Sequence, residues 1–106
     1  MELRDHWPIL DELCRCADNF PGLEVWAFGS MFRSKSPSDL DVLIIYEARS
    51  DLATLRDMVL WEVTVPPPVE IIAMTPDEEK HYQFIEITAA QLLHKRRTHR
   101  RFTDTG

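Results

Sequence analysis

The stretch FGSMFRSKSPSDLDVLIIY, residues 28–46, decides how this chain folds. An apolar run over residues 23–28 leads into it, rich in Val and aromatics, and predicts a first strand. The apolar run resumes over residues 39–46 and predicts a second. Its VLIIY segment shows no polar alternation, so both faces of that strand are expected to be covered. Between the strands lie Gly29-Ser30, then a loop carrying Arg33 and Lys35. Asp39 and Asp41 open the second strand, where carboxylates are costly unless something pairs them.

Working outward, Leu3, Trp7, Leu10, Cys14 and Ala17 recur at four- and three-residue steps and predict one helical stripe. Pro8 requires that helix to begin shortly before it. Asn19-Phe20-Pro21-Gly22 predicts the turn that ends it. Downstream, Ser50 is placed to cap a helix over residues 51–62, with Leu52, Leu55, Val59 and Leu60 facing inward. Pro66-Pro67-Pro68 stops it. Val69–Met74 predicts a third strand, apolar apart from Glu70. Thr75-Pro76-Asp77-Glu78 has the chemistry of a helix start. The expected helix then runs through Tyr82, Ile85, Ala89 and Leu92 to near Lys95. The fold class that follows is α/β (α+β): a small mixed sheet with helices packed on it.

The chain has 106 residues, which suits one domain over residues 1–95 and a basic tail over 96–106. Residues 1–94 carry seven Lys/Arg against seventeen Asp/Glu, while residues 95–106 carry five against one. An acidic body argues against broad nucleic-acid binding. The tail is either a solvated end or a basic contact for RNA, phosphate or an acidic partner surface. No apolar run of about 18 residues predicts a membrane span. MELRDHWPIL lacks an apolar signal core, so a cytoplasmic protein is expected. Cys14 and Cys16 are two apart on a helix and read as reduced packing residues. His6, His81, His94 and His99 show no metal-ligand spacing. Trp7, Trp26 and Trp61 read as core or interface aromatics, so an oligomer is open.

Asp39 and Asp41 are two apart on a strand and therefore share a face. Two anions so close resist joint ionisation unless a cation joins them. Magnesium prefers such hard oxygen ligands. Glu70 faces the pair if the third strand lies beside the second, as a further metal ligand or a general base. The plainer alternatives are a turn role for Asp39, within Ser36-Pro37-Ser38, and a solvated strand end for Glu70. Gly29 lets a ligand approach the backbone, and the N–H groups after it favour phosphates, with Ser30 adding a hydroxyl. Arg33 and Lys35 can neutralise a triphosphate.

These residues together resemble the signature of the polymerase-beta-type nucleotidyltransferase superfamily, in particular its minimal bacterial members. The resemblance implies the nucleotidyltransferase fold. It implies nucleotide phosphates on Gly29 and Ser30, a basic neighbour at Arg33, and divalent metal on Asp39 and Asp41 with Glu70 as the third acid. It covers roughly residues 23–74. Two features depart from the family pattern: the loop between Ser30 and Asp39 is eight residues, shorter than in many members, and the third acid is Glu rather than Asp. The implied reaction is magnesium-dependent transfer of a nucleoside monophosphate, AMP from ATP, to a hydroxyl acceptor. A partner toxin of the HEPN type is one expected acceptor. An antibiotic or other small molecule is another. A non-catalytic antitoxin or binding subunit is the rival of a different class.

Overall fold

A computed structural model of the chain describes residues 3–33, 37, 39–60 and 68–95. Lys35, Trp61, His99, the basic tail and the side chains of Val59 and Leu60 lie outside the described residues.

The expected first helix is two. Helix α1 spans Leu3–His6 and α2 spans Pro8–Ala17, with Trp7 extended between them at φ −122° and ψ 95°. A residue before proline is pushed out of the helical region, and proline is well suited to the first helical turn. Arg4 bridges the break, donating to Asp11 Oδ1 at 3.0 and 2.8 Å. Strand β1 spans Glu24–Phe28, and a single 3₁₀ turn follows at Ser30–Phe32. Strand β2 spans Leu40–Ile45 and α3 spans Arg49–Leu60. Ser50 is therefore inside α3 rather than capping it. The Asp51 and Leu52 N–H groups both donate to Ala48 O.

Strand β3, Val69–Met74, lies beside β2, the condition for Glu70 to face the aspartates, and runs parallel to it. The Leu40 N–H to Pro68 O and the Tyr46 N–H to Met74 O close the two ends of this ladder at 2.8 and 2.9 Å. Helix α4, Pro76–Tyr82, starts on a capping box. The Glu78 N–H donates to Thr75 Oγ1 and the Thr75 N–H donates to Glu78 Oε1.

The expected continuation of this helix to Lys95 is overturned. Gln83 is left-handed at φ 53°, a five-residue helix α5 covers Phe84–Thr88, and Ala89 is left-handed at φ 55°. The chain then enters a fourth strand, β4, at Gln91–Lys95. That strand pairs antiparallel with β1 and completes a mixed sheet of order β3-β2-β1-β4. The free backbone edge of β1 is the reason: ladder hydrogen bonds there outweigh a modest helical preference, at the cost of two left-handed residues of about 1–2 kcal/mol each.

One face of the sheet packs against α2 and α3. Leu10, Leu13, Cys14, Val25, Ala27, Leu40, Val42, Ile44, Leu52 and Leu55 form the core there. The other face carries Trp26 and Phe28 of β1, Asp41 and Leu43 of β2, and Glu70 and Ile72 of β3. Leu43 is fully buried on this second face, so the expectation that both faces of β2 are covered holds. Among the described residues, no helix is long and apolar enough to cross a membrane.

Cys14 and Cys16 are buried thiols not joined in a disulfide, and the Cys16 thiol donates to Glu12 Oε2 at 3.6 Å. Burial pushes the Cys14 thiol up to about 11; the Arg4 guanidinium opposes this and Asp11 adds to it. At pH 8 Cys14 is therefore a protonated, enclosed thiol. A thiol-reactive chromophore should leave Cys14 unlabelled in the folded protein and label it in 8 M urea. Stoichiometric labelling of Cys14 without denaturant would contradict this packing.

Candidate metal and phosphate site

The site is built on the end of the sheet where β1 leaves and β2 enters. Asp41 is the register partner of Phe28 on β1 and of Glu70 on β3. Asp39 lies two residues earlier, just ahead of β2, and shares the face. One carboxylate oxygen from each of Asp39, Asp41 and Glu70 lies within 4.8 Å of the others. The two aspartates are half-buried and Glu70 is exposed. Three hard oxygen donors at this spacing can share one divalent cation.

The electrostatics point the same way. Burial, then the negative charges of Asp39 and Glu70, hold the Asp41 carboxyl above the ordinary carboxylate range. Its proton is held more tightly in the folded than in the unfolded chain. The stability it contributes is present at low pH and is lost as pH rises through the raised value. A bound cation relieves the same repulsion by neutralising it.

Gly29 is pressed against this cluster. It has φ +90°, a conformation that side-chain-bearing residues rarely adopt. A Cβ here would collide with Asp41 Oδ2 and would lie 3.0 Å from Asp41 Cγ. The glycine is thus needed twice, for its backbone turn and to leave space for the Asp41 carboxylate. Ser30 is half-buried at the start of the 3₁₀ turn, and Arg33 is exposed at its end, its N–H donating to Ser30 O at 2.9 Å. The turn is only three residues long, so any phosphate held there would rest on individual N–H groups rather than on a helix dipole. The structure brings Gly29 to the acids directly and places Ser30 and Arg33 on the adjoining turn; Lys35 lies outside the described residues.

An aromatic pair beside the site had no signal in the sequence. Phe28 meets Phe84 of α5 edge to face, with ring centroids 4.9 Å apart and planes at 87°. Phe84 is 56 residues away in the chain, and only the left-handed corner at Gln83 brings it here. The tryptophans take other parts. Trp7 packs against the core, and the Trp26 indole N–H donates to Glu24 Oε1 at 3.0 Å. His6 and His81 are exposed, and His94 is on β4 rather than a helix, facing Asp18 Oδ1 at 3.4 Å.

Compared with models of known protein families and with the sequences of curated proteins, the chain matches none.

Two substitutions test this geometry. Asp41→Asn removes a mutually repelled charge, so at pH 7 the metal-free protein should melt no lower than the wild type. Millimolar Mg²⁺ or Mn²⁺ should raise the melting temperature of the wild type and leave that of Asp41→Asn unmoved. A metal-free loss as large as that of a core cavity would instead make Asp41 a structural residue. Gly29→Ala should lower stability by about 1–3 kcal/mol and weaken the metal-induced shift, because the new methyl strains the backbone and displaces the carboxylate. Wild-type behaviour in both respects would refute the close approach.

Proposed function

We propose that the chain is a nucleotidyltransferase of the polymerase-beta type, moving AMP from ATP to an acceptor hydroxyl. The single observation that carries this reading is the meeting of Asp39, Asp41 and Glu70, from two strands, against Gly29. The donor set is all carboxylate oxygen, which fits magnesium. When bound there, the ion supplies charge neutralisation for the nucleotide phosphates and the departing pyrophosphate.

Asp39 and Asp41 hold the ion, with Glu70 completing the set. The phosphates lie beside the Gly29–Ser30 turn, where the Ser30 hydroxyl donates to them, while the open side of Gly29 itself accommodates the Asp41 carboxylate. Arg33 adds a positive charge at the turn's end. Glu70 is the most exposed of the three acids and so the best placed to accept the proton of an incoming hydroxyl. Nothing covalent is required of the protein. Positioning and charge stabilisation supply the acceleration.

The acceptor in this proposal is a partner protein, with a small molecule as the alternative.

Incubation with α-labelled ATP, magnesium and any protein that co-purifies with the chain tests the proposal. Label should move to that protein, and Asp41→Ala should reduce the rate by about 10²-fold or more. The proposal falls if the wild type transfers no label while an Asp39→Ala/Asp41→Ala variant still binds the partner. That pair of results would make the chain a binding subunit.

A further inference from the structure

We infer that the Phe28–Phe84 pair seats the nucleobase of the bound triphosphate, an inference that rests on the nucleotide-binding reading above. Phe28 immediately precedes Gly29 and pairs across the sheet with Asp41, which in turn pairs with Glu70. The strand alternation that buries Val25 and Ala27 in the core turns Phe28 to the acid face. Neighbouring strands are about 5 Å apart, so the ring stands one strand from Asp41 and two from Glu70. A nucleotide with its phosphates at Gly29 and the acids therefore has an aromatic surface within its own length.

The pair is not a piece of the core. Phe28 and Phe84 are half-buried and stand apart from the cluster beneath α2 and α3. Their edge-to-face contact leaves one ring with both faces free of its mate. The position of Phe84 is also over-determined. The preceding residue, Gln83, is left-handed, and the Ile85 N–H donates to the Glu79 carboxylate at 3.0 Å, which ties the corner from the other side. A left-handed residue is a common way to end a helix, and this one turns the chain so that Phe84 meets Phe28. Here it presents a flat apolar ring at the edge of a charged site, which is what a purine base requires. Stacking reads the π face of a base and not its edge, so ATP and GTP should bind within a few-fold of each other.

Titration calorimetry with two ligands separates the base from the phosphates: magnesium–ATP and magnesium–tripolyphosphate. The wild type should bind both, ATP more tightly. Phe84→Ala and the bulkier, non-aromatic Phe84→Leu should each weaken ATP about tenfold and leave tripolyphosphate unchanged. Unchanged tripolyphosphate binding also certifies that the variants are folded. Wild-type ATP affinity in both variants, or equal losses for the two ligands, would overturn the nucleobase seat while leaving the phosphate site standing. A wild type that binds neither ligand would bring down the phosphate reading, and this inference with it.

Discussion

Parallel pairing of β2 with β3, in the register that sets Asp41 beside Glu70, is the constraint on which the rest of the site depends. That register works against charge, since it brings carboxylates within 4.8 Å of one another. It persists because the opposite face of the same two strands is apolar. Leu40, Val42 and Ile44 pack in the core, and Val69, Ile71 and Ala73 pack against it. A slip of one residue would drive Glu70 and Ile72 toward α3 and expose the buried set. Hydrophobic burial on one side of the sheet thus holds electrostatic strain in place on the other.

The same division of labour recurs around the cluster. Gly29 gives up side-chain packing so that the chain can turn sharply and Asp41 can keep its orientation. Gln83 and Ala89 occupy a backbone region that ordinarily selects glycine, and between them α5 is folded back so that Phe84 reaches Phe28. Among the described residues, positive φ occurs at Gly29, against the acids, and at the two ends of α5. Favourable local features, such as the capping box at Thr75 and the buried stripe of α2, lie on the supporting elements.

Chemically, the acid face combines two surfaces of opposite demand. The carboxylates want a cation and, through it, phosphates. The aromatic pair wants a flat apolar group. A nucleoside triphosphate meets both demands within one molecule, which is why the nucleotidyltransferase proposal accounts for more of this face than a bare cation site does. The raised Asp41 carboxyl belongs to the same picture: the charge it resists carrying alone is the charge a cation would stabilise.

Much of this was written in local patterns. The Asp39–Asp41 spacing, the lone acid in VEIIAM, the glycine between two apolar runs and the Thr75 start signal each follow from periodicity or from the chemistry of a few adjacent residues. They sufficed to predict three strands, the helices between them and a shared acid face. Trp7 showed where such reading stops, since the apolar stripe continues across it while Pro8 breaks the backbone. The fourth strand was beyond reach in a stronger sense. Residues 83–95 carry no glycine or proline, and their apolar spacing suits a helix. What makes Gln91–Lys95 a strand is the unpaired edge of β1, a set of hydrogen-bonding groups some 65 residues away that exists only once the sheet has formed. The sequence by itself thus determined that Asp39, Asp41 and Glu70 could share one face beside Gly29. Tertiary structure alone decided the register that brings them together and the corner that carries Phe84 to them, because strand pairing and left-handed corners are chosen by partners distant along the chain.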